Sequence, residues 1–326
     1  MKKSLFTHIF IGFTLCLFFL FGTGLVMDAT AQTKYEVRWG TITAGGAWQV
    51  VGAAMLGDIR KSNPDITGSI VPSSTSANVL GVQQSKFNLG FSLSDTTADA
   101  WEGKGYFKPY GKQQDIRNIA TLYPQTTHIV VAANSGITKI EQLKGRRISP
   151  GAKGLSCDLQ TQRLLQLYGL SYKDFKVSFL SFDDAAQQFI DGHIDALMFL
   201  TVTYPYPPVI SSNSQRPIRL LSIPEDKIAE LTKFRGVESH TMPPGIYKGV
   251  DYPVKGIAVR SHIIARKDMP DDVAYKITKT IVENFDRYPT VYKAMGLVKL
   301  HDLVKDVGIP FHPGALKYYK EKGMIK

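Results

Sequence analysis

Cysteine is almost missing from this chain. Two occur in 326 residues, Cys16 and Cys157. Cys16 lies in an N-terminal stretch read below as a leader, and a single remaining thiol closes no intramolecular disulfide. The core must therefore hold by packing. No apolar run after residue 31 is long enough to span a bilayer. The seven histidines are scattered, without a His-x-x-x-His pair or a Cys/His pair at ligand spacing, so neither a metal site nor a cofactor is expected. Dense basic runs are missing too. Lys and Arg number 39 against 28 Asp and Glu, a net charge of +11, yet nothing is denser than short pairs such as Arg146-Arg147. That scatter argues against nucleic acid as a partner and for a solvated basic surface with some bias toward anions.

What is present begins with a leader. Lys2 and Lys3 form a positive start, residues 9–26 are largely apolar, and Ala29-Thr30-Ala31 fits the small-x-small rule for cleavage before Gln32. The rival reading is an uncleaved anchor. The cleavage motif favours export to the periplasm with removal of residues 1–31. Bulky Leu15 before Cys16 argues against a lipid anchor. The remaining chain is long enough for two modest domains.

Residues 35–43 alternate as a strand, and Val51, Met55 and Ile59 then mark the inner stripe of a helix. Two further strand-turn-helix units follow, with strands near 68–72 and 89–93. Small polar residues at each strand's C-terminal end point to a parallel, doubly wound sheet, whose ligands lie beyond those ends. Strand-like runs at 119–123 and 128–133, joined through Pro124, read as a crossover into a second lobe of the same kind. Its strands are expected at 147–149, 177–180, 194–200 and 219–223. Residues 254–265 return the chain to the first lobe, and helices are expected at 271–288 and 290–303. The predicted division is 32–124 plus 254–326 for one lobe and 125–253 for the other, a hinged clamp with its ligand in the cleft.

The organising stretch is Ile148 to Leu170, a strand, a glycine turn and a helix. Gly151 and Gly154 suit positive φ and close approach of a ligand, Ser156 reads as the helix N-cap and Asp158 as a first-turn acid. Free N–H groups at such a helix start form an anion site. Elsewhere the candidates sit at equivalent loops. Trp48, after Gly46 and Ala47, either stacks on a ligand or fills the core. Thr75 and Asn78 either donate to a carboxylate or cap their own helix. Asp95 opens a helix, or meets a ligand ammonium. Thr203, Tyr204 and Pro205 lie in a stiff proline-rich turn. Cys157 has the position of a nucleophile at a helix start, without a neighbouring histidine in sequence. His312 reads as a structural turn residue.

With these pieces placed, the chain resembles the TAXI family of solute-binding receptors for TRAP transporters, from about Tyr35 to Gly323. The ending Ile309-Pro310-Phe311-His312-Pro313-Gly314-Ala315 through Gly323 carries most of the resemblance. Asp191-Gly192-His193-Ile194-Asp195-Ala196, the Pro243-to-Gly249 stretch and Leu143-Lys144-Gly145 follow in the family's order. The resemblance implies a two-lobed type II periplasmic-binding α/β fold and no catalysis. It also implies capture of an amino acid or carboxylate by a monomer, and delivery to an ion-gradient-driven permease. It implies ligand contacts at Gly46, Ala47, Trp48, Thr75, Asn78, Asp95, Gly154, Leu155, Ser156, Cys157, Thr203, Tyr204 and Pro205. The chain departs from the pattern where Leu155 and Cys157 stand at the usual serine and threonine, which points away from glutamate. The receptor of an ABC importer, and a periplasmic hydrolase using Ser156 or Cys157, are the competing readings.

Overall fold

Two long strands carry the architecture. In the computed structural model, which describes residues 34–42 and 46–326, β4 (Ile116–Ala132) and β10 (Val254–Arg266) run antiparallel through the middle of one ten-stranded sheet. The expected leader, its cleavage point and residues 43–45 lie outside the described residues.

On one side stand the three expected units, β1 (Tyr35–Gly40), α1 (Ala47–Ser62), β2 (Ile66–Val71), α2 (Thr75–Gln83), β3 (Leu89–Leu93) and α3 (Ser94–Glu102). β1 lies between β2 and β3, parallel to both, and β3 pairs antiparallel with the later half of β10. Val51, Met55 and Ile59 of α1 are all fully buried, as their spacing requires.

On the other side are β5 (Arg147–Ser149), α4 (Ser156–Gln166), β6 (Lys176–Val177), α5 (Phe182–Ile190), β7 (Ala196–Val202) and α6 (Pro207–Gln215), with β8 (Ile218–Leu221), α7 (Glu225–Leu231) and β9 (Val237–Met242). Here β7, β5 and β6 are parallel, and β7 is buried along its whole length, which explains its unbroken apolar run. The strand order is β2-β1-β3-β10-β4-β7-β5-β6, with β8 against β4 and β9 against β10. Two parallel halves, joined by an antiparallel pair, therefore form a mixed sheet.

Three expectations change. Pro124 was expected to divide two strands, but β4 continues through it. The proline faces Arg260, and the pairing with β10 shifts register between Arg260 and His262, the kind of irregularity where a strand tolerates a residue without N–H. The helix expected at 290–303 is broken into α9 (Tyr288–Val291) and two 3-10 turns at Lys293–Leu297 and Leu300–Val304. Pro289 sits in the first turn of α9, where proline is tolerated, and the weak helix former Gly296 falls within the first 3-10 turn. Before it, α8 (Asp271–Glu283) stops at Glu283, short of Tyr288, and α10 (Pro313–Glu321) closes the chain. β9 was not anticipated. Its sequence, Val-Glu-Ser-His-Thr-Met, is polar, and pairing with β10 supplies what the side chains do not.

Candidate ligand cleft

The C-terminal ends of the parallel strands in both halves open on one cavity of about 700 Å³, the expected place for a ligand of such sheets. The loop after β1 contributes Ile42, Gly46, Ala47 and Trp48, the start of α2 contributes Thr75, and the start of α4 contributes Leu155, Ser156 and Cys157. The end of β7 adds Thr201, Val202 and Thr203. Tyr123 and Gln125 enter from the middle of β4. Phe182, Asp183, Tyr206 and Tyr292 complete the aromatic and polar lining.

Several helices begin at this wall, α1, α2 and α4 among them. Among the described residues, no side chain caps α1, α2 or α4 at its N-terminus, and their cap positions are Gly46, Ser74 and Leu155. Each leaves first-turn N–H groups without an intrahelical acceptor. The ends of three helix dipoles thus meet one cavity, an arrangement that favours negative charge. Among the described residues, no Lys, Arg or His lines the cavity, and Asp183 is the single charged one.

The wall is tied down by its own hydrogen bonds. Trp48 stacks on Phe91 at 5.6 Å and its indole N–H donates to Ser261 at 2.8 Å, so it is both core and wall. Thr203 Oγ1 lies 3.3 Å from the Tyr292 hydroxyl. The Tyr206 N–H donates to the Tyr247 hydroxyl at 2.8 Å, and that hydroxyl lies 2.9 Å from His128 Nε2. Burial lowers the pKa of His128 to about 4, so the ring is a neutral link in this support. Cys157 is buried, with its sulfur 3.0 Å from Thr201 Oγ1, and desolvation pushes the thiol up to about 11. Position at a helix start would lower it, but burial dominates.

Of the residues singled out by sequence, Gly46, Ala47, Trp48, Thr75, Leu155, Ser156, Cys157 and Thr203 are brought together here. The others stand apart. Asn78 neither lines the cavity nor caps its helix; its amide donates to the carbonyls of Thr41 (2.6 Å) and Phe91 (2.9 Å), tying the ends of β1 and β3. Gly154, at φ +82°, donates to Asp158 Oδ2 at 2.8 Å and faces a smaller pocket of about 280 Å³. The Tyr204 hydroxyl lies 3.2 Å from His240 Nε2, and the Tyr204–Pro205 peptide is cis.

Asp95 is fully buried, and its carboxylate accepts from Thr96 N (2.7 Å), Ser156 Oγ (2.5 Å) and Gln160 Nε2 (2.8 Å). The expected N-cap is thereby corrected. Leu155 holds that position, Ser156 is the first helical residue, and its hydroxyl crosses to α3 instead of capping α4. One helical turn further, Arg163 grips both oxygens of Asp99 at 2.8 and 3.1 Å and lies over the Phe234 ring at 4.2 Å. Burial raises the pKa of Asp99 despite Arg163. Together these contacts form a polar seam between α3 of the first half and α4 of the second.

The missed residues are Tyr123, Gln125, Phe182, Asp183, Tyr206 and Tyr292. Tyr206 lay inside the proline-rich turn already singled out. Tyr123 and Tyr292 carry no local signal, since only the crossover strand and the broken C-terminal segment bring them to the cleft.

A mixed sheet of two parallel halves, linked by a crossing strand pair and holding a cavity between helix starts, defines the two-lobed α/β binding-protein fold. The chain belongs to the NMT1-like family, whose sequence pattern it matches over residues 39–323. Solved structures agree in fold. A TctC solute-binding protein from Polaromonas is 17% identical, with a TM-score of 0.52 over 80% of this chain and 88% of that one. A protein of Bordetella bronchiseptica RB50 is 15% identical, with a TM-score of 0.52 over 90% of each chain. PhnD1 from Prochlorococcus marinus MIT 9301, in complex with methylphosphonate, is 14% identical, with a TM-score of 0.50 over 89% of this chain and 99% of that one.

Proposed function

We propose that this chain is an exported solute receptor, not an enzyme, that closes on a small organic anion and delivers it to a TRAP-type permease. The observation that carries the reading is the cavity itself, lined from both halves of the sheet and met by three helix N-termini without side-chain caps. Backbone N–H groups and helix dipoles bind an anion without a cationic side chain. The high pKa of Cys157 speaks against a thiolate nucleophile, because thiol attack requires the ionised form. Ser156 donates to Asp95, and no histidine is among its hydrogen-bond partners in the described residues.

The Polaromonas relative is a solute-binding protein and the Prochlorococcus one holds an anion, which accords with this role. The TRAP assignment rests on the TAXI-like ending at residues 309–323 and the ordered stretches before it. The lobes that move are 32–124 with 254–326 and 125–253, hinged at the crossing strands.

A ligand bound only by the folded protein adds RT ln(1 + [L]/Kd), about 2.7 kcal/mol at a hundredfold excess over Kd. A thermal-shift screen of amino acids and organic acids is expected to reveal a stabiliser, recovered unchanged by mass spectrometry. Conversion of the stabiliser into products, or shifts with sugars and cations alone, would contradict the reading. A large permease gene beside this one, rather than an ATPase gene, is expected for the TRAP assignment.

A further inference from the structure

We propose that the solute is an aromatic monocarboxylate, one negative charge on a flat apolar body, rather than a dicarboxylate or an aliphatic amino acid. The inference rests on the receptor reading and names its ligand class.

The cavity presents rings from both halves. Tyr123 and Tyr292 form one pair, with centroids 5.6 Å apart and planes tilted by 53°. Phe182 and Tyr206 form the other, edge to face at 5.7 Å. Trp48, braced by Phe91, and Tyr123 back this wall at 3% and 1% exposure, so Tyr292, Phe182 and Tyr206 offer the accessible ring surface. Three of these rings are held by neighbours: Tyr292 by Thr203, Phe182 by an edge contact with Phe199 at 4.8 Å, and Tyr206 through its backbone by Tyr247. A wall of held rings rewards a ligand that offers a π face or edge, since offset and edge contacts add to simple area burial.

Charge limits the other end. With no Lys, Arg or His among the described lining residues, the neutralising groups are helix N–H dipoles, each helix start equivalent to about half a charge. These partial charges are spread over separate loops and favour an anion without supplying a cationic point charge for a second carboxylate. A second carboxylate would lose its hydration without a cation to replace it, and Asp183 at the wall repels it further. Leu155, beside the start of α4, adds an alkyl group to the lining. At about 700 Å³ the cavity is also larger than a four- or five-carbon diacid requires, and falls in the range of sites for ligands with ring systems.

The test is isothermal titration of the full mature chain with 3-phenylpropionate, its methyl ester, hexanoate, glutarate, L-glutamate and benzene-1,4-dicarboxylate. The aromatic monoanion is expected to bind at least tenfold more tightly than hexanoate and than either aliphatic diacid. The ester and the aromatic diacid should each be at least tenfold weaker than 3-phenylpropionate. Tyr206→Ala is expected to weaken 3-phenylpropionate at least tenfold. Phe182→Leu, which keeps bulk while removing the ring, should weaken it several-fold with an unchanged circular-dichroism spectrum. Tighter binding of glutarate, glutamate or hexanoate than of every aromatic monoanion overturns the ligand class and leaves the receptor reading standing. Binding of no organic acid at all overturns both.

Discussion

Ser156 Oγ donates to Asp95 Oδ2 across 2.5 Å, joining two helices from opposite halves of the sheet. Because Asp95 is fully buried, the bond is shielded from water, where a hydrogen bond is electrostatically stronger. Ser156 is also the first residue of the helix whose N-terminus faces the cavity. The seam and the ligand wall therefore share one helical turn, and separating α3 from α4 would break this contact.

Removing the hydroxyl should register in stability before affinity. Ser156→Ala leaves a buried carboxyl oxygen with one donor fewer, and a buried polar group that loses its partner costs about 1–3 kcal/mol. Urea unfolding of ligand-free protein is expected to show a loss of that order. A stability equal to wild type, with a large loss of affinity instead, would place Ser156 on the ligand.

The neighbouring ion pair should behave as a buried one. Side chains of Arg163 and Asp99 are only 10% and 11% exposed. Truncating one partner strands the other, at a cost of about 3–5 kcal/mol. Arg163→Ala is expected to fall near that range, helped by the lost contact with Phe234. The double variant with Asp99→Ala should cost clearly less than the sum of the singles. Additive losses in the double-mutant cycle would show that the pair is not coupled.

These seam contacts mark the limit of what the sequence discloses. The stripe of α1, the unbroken run of β7 and the positive-φ Gly151 and Gly154 were legible because each depends on near neighbours in the chain. Ser156 was misread as a cap because its partner lies 61 positions away. Asn78 reads as a loop donor, and only the folded ends of β1 and β3 show which carbonyls it serves. Cleft aromatics divide in the same manner: Trp48 and the Tyr206 turn stand at helix starts, whereas Tyr123 and Tyr292 arrive by long-range topology.

Acid should weaken the fold through its buried histidines. Desolvation lowers His128 to about 4 and His262 to about 3, both below their unfolded value near 6.5. Their contribution is therefore present above pH 6.5 and is lost as pH falls toward the folded values, because the unfolded chain binds the proton first. Near pH 5 each contributes a slope of about 1.36 kcal/mol per pH unit. His128→Gln is expected to flatten the dependence of unfolding free energy on pH between 4.5 and 6 by about that amount. An unchanged slope would mean that His128 is already protonated in the native state.

The Cys157 thiol should be unreactive. With a pKa near 11 and 1% exposure, only about one molecule in a thousand carries a thiolate at pH 8, by the tenfold-per-unit relation. Iodoacetamide at that pH is expected to label native protein at least a hundredfold more slowly than urea-unfolded protein. Rapid labelling of the native form would restore Cys157 as a candidate nucleophile.

The receptor reading stands or falls on whether a small anion occupies the cleft between helix starts. Native mass spectrometry of the mature protein, purified gently from its own cells, addresses this directly when paired with Thr75→Trp, which fills the cavity from the half-buried start of α2. The account predicts one small organic acid bound per wild-type chain, released unchanged, and no adduct on a variant that melts as a folded protein. An adduct retained by the folded variant, or a bound species that is not an anion, would contradict it.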